Sequence, residues 1–166
     1  MTVILEPSMI GGFMTEIRRG LRTAIAALLA IGALLFAAAP ATAAPTTPKQ
    51  VVTAFYTEGF VNKDIAGAAQ RYIGDTYIQH NPEVADGREA FVKVLGPVVA
   101  DPKYKSSIVR IVAEGDIVVV YAKSVYDGKA QAVADIFRVQ NGKIVEHWDV
   151  IQDDPGKTVS GHPFIS

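Results

Sequence analysis

From Ser106 onward, β-branched and aromatic residues recur with a period of two in four runs, SSIVRIVAEG, DIVVVYAKSVYDG, KAQAVADIFRVQNG and KIVEHWDVIQ. Tyr126-Asp127-Gly128 and Gln140-Asn141-Gly142 punctuate them as hairpin turns, so four successive antiparallel strands are predicted. Upstream the period is helical. Thr47, Pro48 and Gln50 read as N-cap, first helical residue and capping-box partner, with Val51, Val52, Phe55 and Tyr56 on one face, which predicts a helix over about 48–58. Asp64 can cap a second helix over 65–72, ended by Gly74. Asp86, with Glu89 three residues on, repeats the capping-box spacing before Phe91, Val92, Val94 and Leu95. This third helix is expected to stop near Leu95, at Gly96-Pro97. Between the second and third helices, YIQHNP (77–82) reads as an extended piece.

Three short helices ahead of a four-strand meander predict an α+β fold, a curved sheet wrapped around the helices. A cavity between the two layers is where buried polar groups would be tolerated. The stretch EHWDVIQ (146–152) raises that question, because it places His147, Trp148 and Asp149 in a strand. An unpartnered carboxylate buried there would cost several kcal/mol, about 2–7 even for a neutral polar group. Each hairpin can close through a two-residue turn or a three-residue loop, and a shift of one residue moves every side chain to the other face. Two-residue closure at Asn141-Gly142 sets Asp135 opposite Trp148. Three-residue loops set Asp135 opposite His147 and gather Tyr121, Asp135, His147 and Asp149 on one face. The three-residue reading is favoured because it lets the polar groups satisfy one another.

The N-terminus changes the picture of the mature chain. Arg18, Arg19 and Arg22 precede an apolar run from Ala24 to Ala39, then Pro40 and Ala41-Thr42-Ala43. That order is the pattern of a secretory signal peptide, with Met14 as a plausible start and cleavage near Ala43 or Ala44. Arg18-Arg19 leaves twin-arginine export open beside the general route. The expected organisation is an extension and signal over 1–44, a domain over 45–152 and a polar tail over 153–166, in a protein that is periplasmic or extracellular.

Loss of residues 1–44 takes Arg18, Arg19, Arg22, Glu6 and Glu16 from 16 basic and 17 acidic residues, leaving 13 and 15. So slight a negative balance gives no electrostatic case for nucleic acid or an anionic membrane, and no stable membrane span is expected after cleavage. The chain has no cysteine, which excludes disulfides, thiolate metal sites and a cysteine nucleophile. No His-Glu-x-x-His pair, nucleophile elbow or Gly-rich phosphate loop occurs, so neither a metal nor an organic cofactor is expected.

YIQHNP, Gly87 at a helix start and DIFRVQNGKIVEHWDVIQ together resemble the SnoaL-like polyketide cyclase family of the ketosteroid isomerase-like, nuclear transport factor 2-like superfamily. The resemblance covers about 48–152. It implies a cone-shaped α+β barrel, a pocket between helices and sheet, and in many members a homodimer through the outer sheet face. It also implies an aspartate on the last strand as general acid/base, which falls on Asp149, a polar residue on the preceding strand, Asp135, and the histidine of YIQHNP, His80. These three are the expected catalytic residues, and Tyr121, His147, Tyr77 and Phe55 the expected substrate contacts. The implied chemistry is aldol-type cyclisation or isomerisation of an apolar carbonyl compound. The alternative, from a different class, is a ligand-binding or interaction domain that keeps the pocket without turnover.

Overall fold

The computed structural model describes residues 47–166; the expected signal segment lies outside them. The order is α1 (Pro48–Tyr56), a π-helical turn (Thr57–Val61), α2 (Ile65–Tyr72), β1 (Ile73–Gln79), α3 (Arg88–Ala100), β2 (Lys105–Glu114), β3 (Ile117–Tyr126), β4 (Lys129–Gln140) and β5 (Lys143–Asp153). The strands form one sheet in the order β1-β5-β4-β3-β2. β2 to β5 are the antiparallel meander. The YIQHNP region supplies β1, a fifth strand parallel to β5, and the mixed sheet does not close. No helix among the described residues is long and apolar enough to cross a membrane.

Local chemistry sets the helix ends. Thr47 and Gln50 make the reciprocal capping box, and Asp64 accepts from the Gly67 N–H at 2.9 Å. The third helix departs from expectation at both ends. Gly87, at φ 95°, is its N-cap, a conformation that a Cβ would disfavour. Asp86 does not cap the helix; its carboxylate accepts from the Gln79 N–H at 2.8 Å, while the Gly87 N–H bonds the Tyr77 carbonyl at 2.9 Å. These two bonds pin the start of α3 to the end of β1. The helix also runs through Gly96 and Pro97 to Ala100. Phe91, Val94, Leu95 and Val98 thereby fall at i, i+3, i+4 and i+7 on one face.

Both hairpins close through two-residue turns, not three-residue loops. Asp127 and Gly128, and Asn141 and Gly142, all have positive φ, the mark of a type I′ turn whose twist suits flanking strands. In the β3–β4 hairpin the register then runs unbroken, with Tyr121 opposite Ala134 and Val120 opposite Asp135. Tyr121 therefore lies on the other face from Asp135. In the β4–β5 hairpin the register slips, from Val139 opposite Ile144 to Arg138 opposite Glu146. Val145 is the extra residue of a bulge. Beyond it Asp135 pairs with Asp149 and Phe137 with His147. Asp135, His147 and Asp149 consequently share the inner face, although the turn is shorter than the one expected to bring them together.

The core between helices and sheet is built on aromatic rings. Phe55 is fully buried and meets Phe60, Phe91 and Phe137 at centroid distances of 6.0, 5.8 and 5.6 Å, and Tyr56 stacks on Phe60 at 4.6 Å. Phe55 thus joins α1, the π turn, α3 and β4. Phe55→Ala is expected to destabilise the domain by about 3–5 kcal/mol. Urea unfolding followed by circular dichroism checks this; a loss below about 1 kcal/mol would show that the cluster closes over the gap.

Candidate active site

A cavity of about 380 Å³ opens between α3 and the inner face of the sheet. Its wall is apolar, formed by Phe60, Phe91, Val94, Leu95, Val133 and Ile151 among others. Val94, Val98 and Ile151 are exposed where they line it. Val98 reaches this wall only because α3 continues past Pro97.

One end of the cavity is polar. Asp135 and His147 are 7% and 6% exposed, and each would be costly to bury alone. They are partners: His147 Nε2 lies 3.1 Å from Asp135 Oδ1. His147 Nδ1 lies 2.8 Å from Gln79 Oε1, and the ring packs on Phe137 at 4.8 Å. Asp149, half-buried and cross-strand from Asp135, accepts from Asn81 Nδ2 at Oδ2, at 2.7 Å. Asn81 is oriented in turn, since its Oδ1 accepts from the Glu83 N–H at 2.8 Å. His147 therefore pairs with Asp135 and not with Asp149.

Tyr56 and Tyr104 also line the cavity. Burial, and then the Asp135 carboxylate, push the Tyr56 phenol far above its ordinary value; burial raises that of Tyr104. Tyr77, behind the cavity, is raised by burial and by Asp135. All three stay protonated at neutral pH; the Tyr56 hydroxyl donates toward the Asp135 carboxylate, and that of Tyr104 lies against Ser106 and Ser124.

Ligand atoms of Asp135, His147 and Asp149 lie within 4.8 Å of one another, a set that a divalent cation could use. Such an ion would compete with the Asp135 contact for His147 Nε2. No helix-spaced histidine pair announces this set, because it forms across β4 and β5.

The other expected site residues fall elsewhere. His80 is on the outer face, stacked on Trp148 at 4.8 Å with its Nε2 3.0 Å from Glu146 Oε1. Its backbone follows β1 past Gln79, whose side chain turns to His147, so the next side chain turns away. Tyr121, outward by register, donates to the Phe164 carbonyl at 3.3 Å. Phe55 and Tyr77 are buried in the core beneath the cavity and do not line it. Gln79 and Asn81, on either side of His80 in YIQHNP, are the residues of that motif that enter the site. Alternation along an extended piece was the signal available for them.

A profile of the SnoaL-like domain matches residues 52–147. Among solved structures, TsrD of Streptomyces laurentii aligns with a TM-score of 0.52 and 19% identity over 62% of this chain and 86% of its own. IdmH of Streptomyces antibioticus, a candidate polyketide cyclase, aligns at 0.53 and 21% over 64% and 93%. A candidate ketosteroid isomerase of Kribbella flavida aligns at 0.54 and 12% over 63% and 77%. No curated protein matches the chain. An α+β cone with a cavity between helices and sheet is the class this fold defines. The chain belongs to the SnoaL-like domain family.

On the outer face, His80 and then Arg138 hold the Glu146 carboxyl below its ordinary value of about 4.5. The folded protein thus binds that proton more weakly than the unfolded chain. The resulting stabilisation is present above the ordinary value and is lost as pH falls through the lowered folded one. In urea titrations across the acid range, Glu146→Gln should lose less stability than the parent. Equal losses in both would show that Glu146 is not held in this way.

Proposed function

We propose that this domain carries out cofactor-independent acid/base chemistry on an apolar carbonyl compound, by aldol-type cyclisation or isomerisation. The observation that supports it most is a carboxylate, Asp149, oriented through one oxygen by Asn81 at the polar end of a cavity with an apolar wall, across from the Asp135–His147 pair. Proton abstraction next to a carbonyl needs a positioned base, donors for the developing oxyanion and walls that hold the substrate folded. Asp149 is the base in this reading. The Asp135–His147 pair faces the oxygen, with the Tyr56 hydroxyl beside Asp135. Family membership and the IdmH likeness support the chemistry class.

Exchange of α-protons reports on the base without requiring the natural product. Incubated in D2O with a series of aromatic 1,3-diketones, the protein should accelerate deuterium uptake at the central carbon, and Asp149→Asn should slow it by about 100-fold or more while remaining folded. An Asp149→Asn variant as active as the parent would overturn the assignment. Saturable binding of these diketones with no accelerated exchange would favour the ligand-binding alternative.

We also propose export, supported by the order of Arg18, Arg19, Arg22, the apolar run and Ala41-Thr42-Ala43. Intact-mass analysis of the protein from its native compartment should give a chain beginning near Ala44 or Pro45. A chain retaining the apolar run would refute cleavage.

A further inference from the structure

Gln79 is fixed by groups that leave it no choice of orientation. The Asn81 backbone N–H, which can only donate, lies 3.0 Å from Gln79 Oε1, and Gln79 Nε2 reaches the Tyr77 hydroxyl at 3.3 Å. The atom facing His147 Nδ1 at 2.8 Å is therefore an acceptor, and Nδ1 must carry a proton. The other ring nitrogen faces Asp135 Oδ1 at 3.1 Å. A neutral imidazole already protonated at Nδ1 presents a lone pair at Nε2, which repels an ionised carboxylate. A hydrogen bond forms there only if one further proton is present, on Asp135 or on Nε2.

We infer that Gln79 is a positioning residue that locks His147 in its Nδ1–H form, so that the Asp135–His147 pair shares one proton and is neutral as a unit. Neutral acid with neutral imidazole and carboxylate with imidazolium are the two ways of writing the same proton count. Either way Asp135 and His147 together add no net charge beside Asp149, although two carboxylates face each other across β4 and β5. In the alternative tautomer, with the proton on Nε2 and Nδ1 bare, Asp135 and Asp149 would both be anionic side by side.

The consequence for turnover rests on the acid/base reading above. As Asp149 takes the α-proton, the pair gives its shared proton to the forming enolate oxygen. Asp149 becomes neutral, the pair becomes anionic, and the total charge of the three groups is unchanged. Reversal of both transfers restores the site. Gln79 touches no reacting atom in this scheme; it decides which nitrogen of His147 can take part.

The lock can be read without any substrate, which separates it from the proposed activity. Imidazole 15N spectra of the labelled protein contain three histidines, His80, His147 and His162, and His80→Gln and His162→Gln leave His147 alone. The parent should show His147 protonated at Nδ1. Gln79→Glu, which keeps an acceptor oxygen, should retain that signal, and Gln79→Leu should lose it as the proton moves to Nε2 to meet an ionised Asp135. A parent spectrum with Nδ1 bare overturns the inference, and needs no Gln79 variant to fold. A folded Gln79→Leu protein with Nδ1 still protonated also overturns it. An intact lock in a protein that fails the exchange assay would leave the proton count standing and remove only its role in turnover.

Discussion

Val145 sits in β5 with no partner on β4, and the inner surface of the sheet depends on that single unpaired residue. Upstream of it Ile144 points into the core; downstream His147 does the same three residues later, where a regular strand would have turned it outward. The bulge therefore lets one strand finish the hydrophobic core with Ile144 and then line a cavity with His147 and Asp149. Without it the tight Asn141-Gly142 turn would send His147 and Asp149 to the outer face and bring Trp148 inward. Trp148 instead stacks against His80 outside, where Arg138 and Glu146 complete a polar cluster.

The cost of placing charge inside is met by pairing. His147 rests on Phe137, and Phe137 on Phe55, so the ring is held by the same aromatic cluster that joins helices to sheet. Its two nitrogens are both engaged, by Gln79 and by Asp135, and Asp149 is engaged by Asn81. Gln79 and Asn81 arrive from the end of β1 and the turn after it, and Asp135 from β4. Adding β1 in parallel alongside β5 is thus what supplies the second layer of support, since Gln79 lies directly beside His147 in the sheet. Rigid neighbours of this kind are what a positioned proton transfer requires.

Family membership carries the fold further than the chemistry. The likeness to IdmH and TsrD extends over most of those chains at about one residue in five, which shows a fold in common. Reaction and substrate are set by which side chains enter that cavity, and the fold tolerates many sets. Here the set includes the Asp135–His147 pair, Asp149, Gln79 and Asn81 at one end of the pocket.

Most of the architecture was legible in the sequence because it rests on local signals. The capping residues Thr47 and Asp64, the Asp-Gly and Asn-Gly turns and the period-two runs each act within a few residues, and they placed three helices and four strands. The grouping of Asp135, His147 and Asp149 was also legible, since satisfying buried carboxylates demands one shared face. What local signals could not decide was register, because a bulge is fixed by packing on both sides of the sheet and leaves no mark in the turn. Turn length was equally undecided: Asp127-Gly128 closes as a two-residue turn with no bulge in β3–β4, so Tyr121, expected inside, lies outside. The parallel strand β1 depends on a contact about seventy residues away, between Gln79 and His147. From the motif YIQHNP the histidine was the conspicuous residue. Only the tertiary structure showed that pairing with β5 turns Gln79 and Asn81 toward the site and His80 away, because neighbours along an extended chain face opposite sides.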